Sequence, residues 1–260
     1  MAKSVEVTKS NGGIHIRLNR PEKRNAFDQE MIASLTTALR EIPQDDDIRY
    51  VLMSGNGQSF CAGADLDWMT GSIKYSYSEN LADSRKLYDM FDAIDQCSIP
   101  VIGRVHGHVY AGGVGLVAVC DVVAAEASAV FAFSEVKLGI VPAVISGFAR
   151  KKLSRTKAFE LMMTGRRFSA KEALDAQLIN FVGTGEDADK FVKETIAHFM
   201  SAGPEAVKEI RRLLRFMDTH SAAEVKEETI RAIAEVRVSV EGQAGLKSFV
   251  DKKNPPWIKS

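Results

Sequence analysis

Three cysteines in 260 residues, Cys61, Cys97 and Cys120, are too few and too widely spaced to form a disulfide framework. Each reads as a small buried apolar residue, and a reducing compartment is the expectation. An excess of one charge is also missing, because Lys plus Arg and Asp plus Glu come to 34 each. With no global field, nothing draws the chain to nucleic acid or to an anionic membrane, and anionic ligands must rely on local basic clusters. No stretch approaches the roughly 20 apolar residues of a membrane span. The longest apolar segment, Val109 to Ala125, contains three glycines and Asp121 and reads as a glycine turn, a helix and a strand. The opening residues, MAKSVEVTKS, lack the continuous apolar core of a secretory leader. A cytoplasmic protein that spans no membrane and binds no nucleic acid is the expectation.

What is present is an ordinary globular composition, 45% hydrophobic and 26% charged, over a length that buries a sizeable core. Val5 and Val7, then Ile14, Ile16 and Leu18, alternate around Asn11-Gly12-Gly13 and predict a β-hairpin. Met31, Ile32, Leu35, Leu39 and Ile42 follow helical spacing behind a candidate N-cap at Asp28. Strands are expected at Tyr50 to Ser54, Val101 to Val105, Val122 to Ala125, Val130 to Phe133 and Ile179 to Val182. Helices are expected between them, at Leu81 to Ile94, Gly147 to Lys152, Lys157 to Met163 and Ala170 to Ala176. Strand–helix alternation of this kind indicates an α/β architecture. After about residue 186 the pattern turns helical: Asp189 to Met200, Pro204 to Met217, Ala222 to Arg237 and Gly242 to Val250.

Two glycine-bearing loops carry the chemistry. Gly113-Val114-Gly115-Leu116-Val117-Ala118 matches the dinucleotide fingerprint G-x-G-x-x-A, but its preceding strand is expected to end near Val105, too early for that fold. The other loop, Ser59 to Leu66, follows a strand and has small residues at its centre, so a ligand can approach its backbone closely. The Gly112-Gly113 turn opens a helix, where free N–H groups and the helix dipole favour negative charge. Two such loops can converge two N–H donors on one oxygen, an oxyanion hole suited to an enolate or a tetrahedral intermediate.

Asn19-Arg20-Pro21 with Asn25-Ala26-Phe27, and Ala62-Gly63-Ala64-Asp65-Leu66, resemble segments of the crotonase (enoyl-CoA hydratase/isomerase) superfamily. So do Pro100-Val101-Ile102, Gly107, Ala111-Gly112-Gly113 and Cys120-Asp121. Phe133-Ser134-Glu135 with Leu138-Gly139 and Pro142, and Thr164-Gly165-Arg166 with Ala170 to Leu178, complete the set in family order. The resemblance implies a crotonase (ClpP-like) α/β spiral of ββα units over residues 1–198. It also implies a helical region over 199–260 that makes trimers or dimers of trimers.

The resemblance further implies that Glu135 transfers protons and that the N–H groups of Ala64 and Gly112 hold the thioester oxygen. Ala62, Asp65 and Leu66 would cradle coenzyme A, with Lys23 or Arg24 near its phosphates. Phe249 and Lys252 match a C-terminal segment that often contacts coenzyme A, sometimes from a neighbouring subunit. Coenzyme A is part of the substrate, so no separate cofactor and no metal are expected. Two-glutamate hydratases carry an acid where this chain has Gly115. Glu135 in its apolar stretch is expected to have a raised pKa.

The wording of Ala64 to Met69, Arg104 to Gly107 and Ser134 to Ser146 is similar to bacterial 3-methylglutaconyl-CoA hydratase-like proteins. Hydration of a short or branched enoyl-CoA is therefore the leading expectation, and Δ3,Δ2-enoyl-CoA isomerisation by a single glutamate the alternative. A distal carboxylate on such a substrate needs a cation or donor, for which His106, His108, Tyr110, Arg85 and Lys86 are candidates. Some relatives bind RNA through a lysine-rich first helix; Gln29 to Ile42 contains no lysine, which argues against it here.

Overall fold

The computed structural model describes residues 3–10, 12–42 and 48–258. Met1, Ala2 and Asn11, which entered the readings above, lie outside them. The chain opens with β1 (Val5–Ser10) and β2 (Gly13–Leu18), an antiparallel pair in which Ser10 faces Gly13. Next comes α1 (Gln29–Arg40), capped by Asp28 as expected, with the carboxylate accepting the Met31 N–H at 2.8 Å. β3 (Tyr50–Gly55), α2 (Leu66–Ser72), α3 (Tyr77–Asp95) and β4 (Val101–Val105) follow. Then come β5 (His108–Tyr110), α4 (Gly112–Val119), β6 (Val122–Glu126) and β7 (Val130–Ala132). α5 (Ala143–Lys152), α6 (Arg155–Thr164), β8 (Arg167–Ser169), α7 (Ala170–Asp175) and β9 (Phe181–Gly183) complete the α/β part. The rest is helical: α8 (Gly185–Ser201), α9 (Pro204–Thr219), α10 (Ala222–Val238) and α11 (Val240–Val250).

The strands make two sheets. The larger has the order β1-β2-β3-β4-β6-β9, parallel throughout except for the first hairpin. The smaller has the order β5-β7-β8, with β5 and β7 parallel. Its middle row, Val109, Phe131 and Phe168, turns into the core, and the two phenylalanine rings stack 5.5 Å apart. The sequence pattern misses β5 and β8, because three residues are too few to show a period. It also starts α3 late, at Leu81. The true start is fixed by a capping box in which the Ser76 hydroxyl receives the Glu79 N–H and Glu79 reaches back to the Ser76 N–H.

The C-terminal helices are anchored to the α/β part by one buried cation. Arg211 of α9 is 7% exposed and donates from Nε to Asp121 at 2.7 Å. Its Nη1 donates to the carbonyls of Asp95 and Cys97, which end α3. The Asp121 carboxylate also receives the Val101 N–H at 2.7 Å, so one ion pair joins α9, β4 and the end of α3. Asp121 is exposed, so what Arg211 contributes is its charged hydrogen bonds to that carboxylate and to main-chain carbonyls, worth roughly 1.5–3 kcal/mol. Arg211→Ala is therefore expected to lose stability of that order, read as a lower midpoint in urea unfolding.

Candidate active site

The site is set by one row of backbone pairing. Cys61 bridges Val109 in parallel, and Val109 pairs in parallel with Phe131. Cys61 donates its N–H to the His108 carbonyl at 3.2 Å and accepts the Tyr110 N–H at 3.0 Å. Three chain segments therefore cross the same line in the same direction. Ala64 and Gly112 come three residues after that line and Glu135 four, so all three emerge at one edge of the small sheet. This is the convergence that the two glycine loops led us to expect, with the carboxylate added to it.

Phe27 ties the two loops together. Its N–H donates to the Gly63 carbonyl at 2.7 Å, and its carbonyl accepts the Asp65 N–H at 2.8 Å. These bonds flank Ala64, so by strand alternation the Ala64 N–H faces the opposite side. The Phe27 ring lies against Gly112, where a Cβ would sit 2.6 Å from Cε2. Gly63, at φ +97°, brings its loop against the turn before α4: a Cβ there would lie 3.1 Å from Ala111 Cβ. Ala111 itself is held at φ 49°, ψ −117°, a conformation costing about 1–3 kcal/mol in a residue with a Cβ. That strain turns Gly112 into the first position of α4. Among the described residues neither the Ala64 N–H nor the Gly112 N–H donates to a protein acceptor.

Helix α4 is loaded at both ends. At its start the Val114 and Gly115 N–H groups bond the Ala111 carbonyl while that of Gly112 has no protein acceptor among the described residues, and at its other end the Lys152 ammonium donates to the carbonyls of Val117, at 3.1 Å, and Cys120. A cation at the C-terminus complements the helix dipole. Burial pushes the Lys152 pKa down, against the attraction of Asp121 and Asp95.

Glu135 sits in a 3-10 turn, Ser134–Leu138, directly after β7. Its Oε2 is buried and has no hydrogen-bond partner among the described residues. Burial raises its pKa above the ordinary carboxylate value, opposed by its own main-chain N–H. A carboxyl in this state exchanges protons near neutral pH more readily than a surface one. Among the described residues no group of three or more His, Cys, Asp or Glu side chains is placed to hold a metal ion.

A family profile described as enoyl-CoA hydratase/isomerase matches residues 8–260. The chain belongs to that family. The crystal structure of an enoyl-CoA hydratase from Shewanella pealeana superposes with a TM-score of 0.93 at 33% identity, covering 98% of this chain and 96% of that one. A putative enoyl-CoA hydratase of Thermus thermophilus is 29% identical over 96% of this chain and 99% of its own length. The rat mitochondrial Delta(3,5)-Delta(2,4)-dienoyl-CoA isomerase is 32% identical over 85% of this chain and 71% of its own. The crotonase fold with a helical C-terminal region is thus established, and the dinucleotide fingerprint at Gly113 is a coincidence of the α4 turn. A strand does run up to that turn, contrary to the expected end near Val105, but β5 belongs to the small sheet.

Position 115 is closed. A Cβ on Gly115 would lie 2.4 Å from Ile145 Cγ2 and 2.8 Å from the Phe91 ring. Packing fills the place to which the sequence resemblance assigns an acid in two-glutamate hydratases.

The coenzyme A candidates divide. Ala62 gives its N–H to the Arg24 carbonyl at 3.0 Å, and Leu66 is 76% exposed. Asp65 is buried: its carboxylate caps α2 through the Asp67 N–H and pairs with Arg20 at 3.0 Å. Burial raises its pKa, but those two contacts and the charges of Arg20 and Lys23 outweigh it and hold the carboxylate below its usual range. Lys23 is exposed and pairs with Asp67 at 2.9 Å, and Arg24 is exposed and forms no ion pair among the described residues. Phe249, 83% exposed, lies near the end of α11, which packs on α9 and α10, and Lys252 follows it. His108 and Tyr110 lie on the face of β5 opposite the buried Val109, with Arg167 over the Tyr110 ring at 5.7 Å. Burial and the nearby Arg24 and Arg167 hold the His108 pKa down. The clamp by Phe27, the Arg20–Asp65 pair and Lys152 escaped the sequence reading. Arg20 and Phe27 lie within the recognised segments, whereas nothing local marks Lys152.

Two measurements follow from this geometry. Overpacking a closed position costs about 1–3 kcal/mol, so Gly115→Ala is expected to lower the unfolding free energy by that order and Gly115→Glu by more. Glu135 has a folded-state pKa above its unfolded value, so the fold prefers the neutral form. No cost arises below the unfolded value, near 4.5; as pH rises from there through the folded pKa, stability is lost. Glu135→Gln is therefore expected to unfold at higher denaturant than the wild type at neutral pH, the gain vanishing below about pH 4.

Proposed function

We propose that this chain hydrates the C2=C3 double bond of short or branched 2-enoyl-CoA thioesters, with Glu135 as the proton carrier. The reading is supported above all by an unpaired buried carboxylate emerging at the same sheet edge as two free N–H groups. The Ala64 and Gly112 N–H groups receive the thioester oxygen. Glu135 takes a proton from water as the water oxygen bonds to C3. The π electrons of C2=C3 move onto the thioester as an enolate, which the two N–H groups stabilise. The enolate then collapses, and Glu135 returns the proton to C2. One carboxylate performs both transfers, so water is consumed and the glutamate is regenerated.

Coenzyme A would lie along Ala62, Asp65 and Leu66, with Asp65 contributing shape and backbone, since its carboxylate is already engaged. Lys23 and Arg24 would meet the phosphates. Phe249 and Lys252 would approach from a neighbouring copy, with the helices after residue 198 assembling a trimer or a pair of trimers in the cytoplasm. The boundary at 198/199 falls in the last turn of α8. The likeness of Ala64 to Met69 and Ser134 to Ser146 to 3-methylglutaconyl-CoA hydratase-like proteins makes that thioester the first substrate to test. His108 and Tyr110 are candidates for its distal carboxylate.

The closed position 115 also favours a second reading. A single carboxylate is sufficient to move a proton between C4 and C2, as in Δ3,Δ2-enoyl-CoA isomerisation. Crotonyl-CoA, 3-methylglutaconyl-CoA and a 3-enoyl-CoA, each turned over in water and in heavy water, separate the two. Hydration is expected, with Glu135→Gln losing roughly 100- to 10,000-fold in rate. Full hydratase activity in that variant overturns the assignment of Glu135.

A further inference from the structure

Two side-chain polar atoms are buried without a hydrogen-bond partner among the described residues: Glu135 Oε2 and Trp68 Nε1. Buried polar groups in folded proteins are almost always satisfied, so such an atom marks a place that a ligand or an ordered water completes. The two are chemically complementary. A carboxylate accepts, and an indole N–H can only donate.

Their placement is related as well. Trp68 stands in the first turn of α2, which begins directly after the Ala64 loop with Asp65 as its cap. Its neighbours Leu66 and Asp67 are exposed, whereas Trp68 is partly covered by the main core, to which Phe27, Phe91 and Ile145 also belong. Those residues close around Gly112 and Gly115. Trp68 therefore turns inward in the segment that follows the Ala64 loop, which leaves the same sheet edge as Glu135. As packing alone, a tryptophan here leaves its N–H without a partner, a penalty that phenylalanine avoids.

We propose that the Trp68 N–H donates a hydrogen bond to the oxygen that is added to C3, a role that rests on the hydratase reading. The bond occupies one lone pair of the water while Glu135 takes its proton, leaving the other lone pair to attack C3. In the reverse direction the same N–H stabilises the oxygen as the C3–O bond breaks and Glu135 returns its proton to form water. With position 115 closed, the chain supplies this second polar contact from α2 instead of α4.

Trp68→Phe keeps the ring and removes the N–H. It is expected to lower kcat/KM for hydration about tenfold. Glu135-dependent deuterium exchange at C2 of a saturated acyl-CoA, which adds no oxygen, should keep the wild-type rate. Equal losses in both reactions, or no loss in hydration, overturn the proposal. Should the variant not fold, the wild type gives an independent readout: the Trp68 indole N–H resonance should move downfield with 3-hydroxybutyryl-CoA and not with butyryl-CoA. An unchanged resonance overturns the proposal. Hydration that is lost in Glu135→Gln and retained in Trp68→Phe removes the Trp68 role alone. A wild type that hydrates no enoyl-CoA removes the hydratase reading itself.

Discussion

The structure depends on the parallel pairing that aligns Cys61, Val109 and Phe131. Side chains near the site vary in exposure and length, but this row fixes where three backbones leave the small sheet. It decides that the Ala64 loop, the Gly112 turn and Glu135 share an edge, however far apart they lie in sequence. Phe27 then locks the arrangement twice, with its backbone on the Ala64 loop and its ring on Gly112. The strained Ala111 is tolerated because the pairing on both sides leaves the chain no other way to turn into α4.

Burial does two opposed things here. Around Asp65 it is compensated: Arg20 and a backbone N–H keep the carboxylate charged, and the residue serves as a cap. Around Glu135 it is left uncompensated, and the carboxyl is driven toward its neutral form. The same amino-acid chemistry thus yields a carboxylate held charged and a carboxyl pushed toward its neutral form, separated by whether the surroundings supply donors. The backbone of α4 is organised in the same spirit. Lys152 satisfies the carbonyl end, and at the amide end the Gly112 N–H has no protein acceptor among the described residues.

Much of this was legible in the residues. The alternation of β1 and β2, the Asp28 cap and the helical run after residue 186 followed from periodicity and capping chemistry alone. The two small-residue loops stood out as places of close backbone approach, and they do leave one edge of the small sheet. What the sequence concealed is long-range. β5 and β8 are three residues each and acquire meaning only from their partners. α2 lacks a buried stripe, because Leu66 and Asp67 point outward and only Trp68, Met69 and Ser72 are partly covered. The unpaired indole is invisible in principle, since a tryptophan reads the same whether its N–H is satisfied or not.

Gly115 shows how a neighbourhood fixes a residue. A Cβ there would fall on Ile145 and the Phe91 ring, so an acid at this position cannot be installed by one substitution alone. A glutamate would meet a packed wall, and room for it would require smaller residues on α3 and α5 first. Chains altered in that way would hold a cavity in the core with nothing to offset it. The neighbours of one glycine thus bind three helices to a single choice, and position 115 changes only together with α3 and α5.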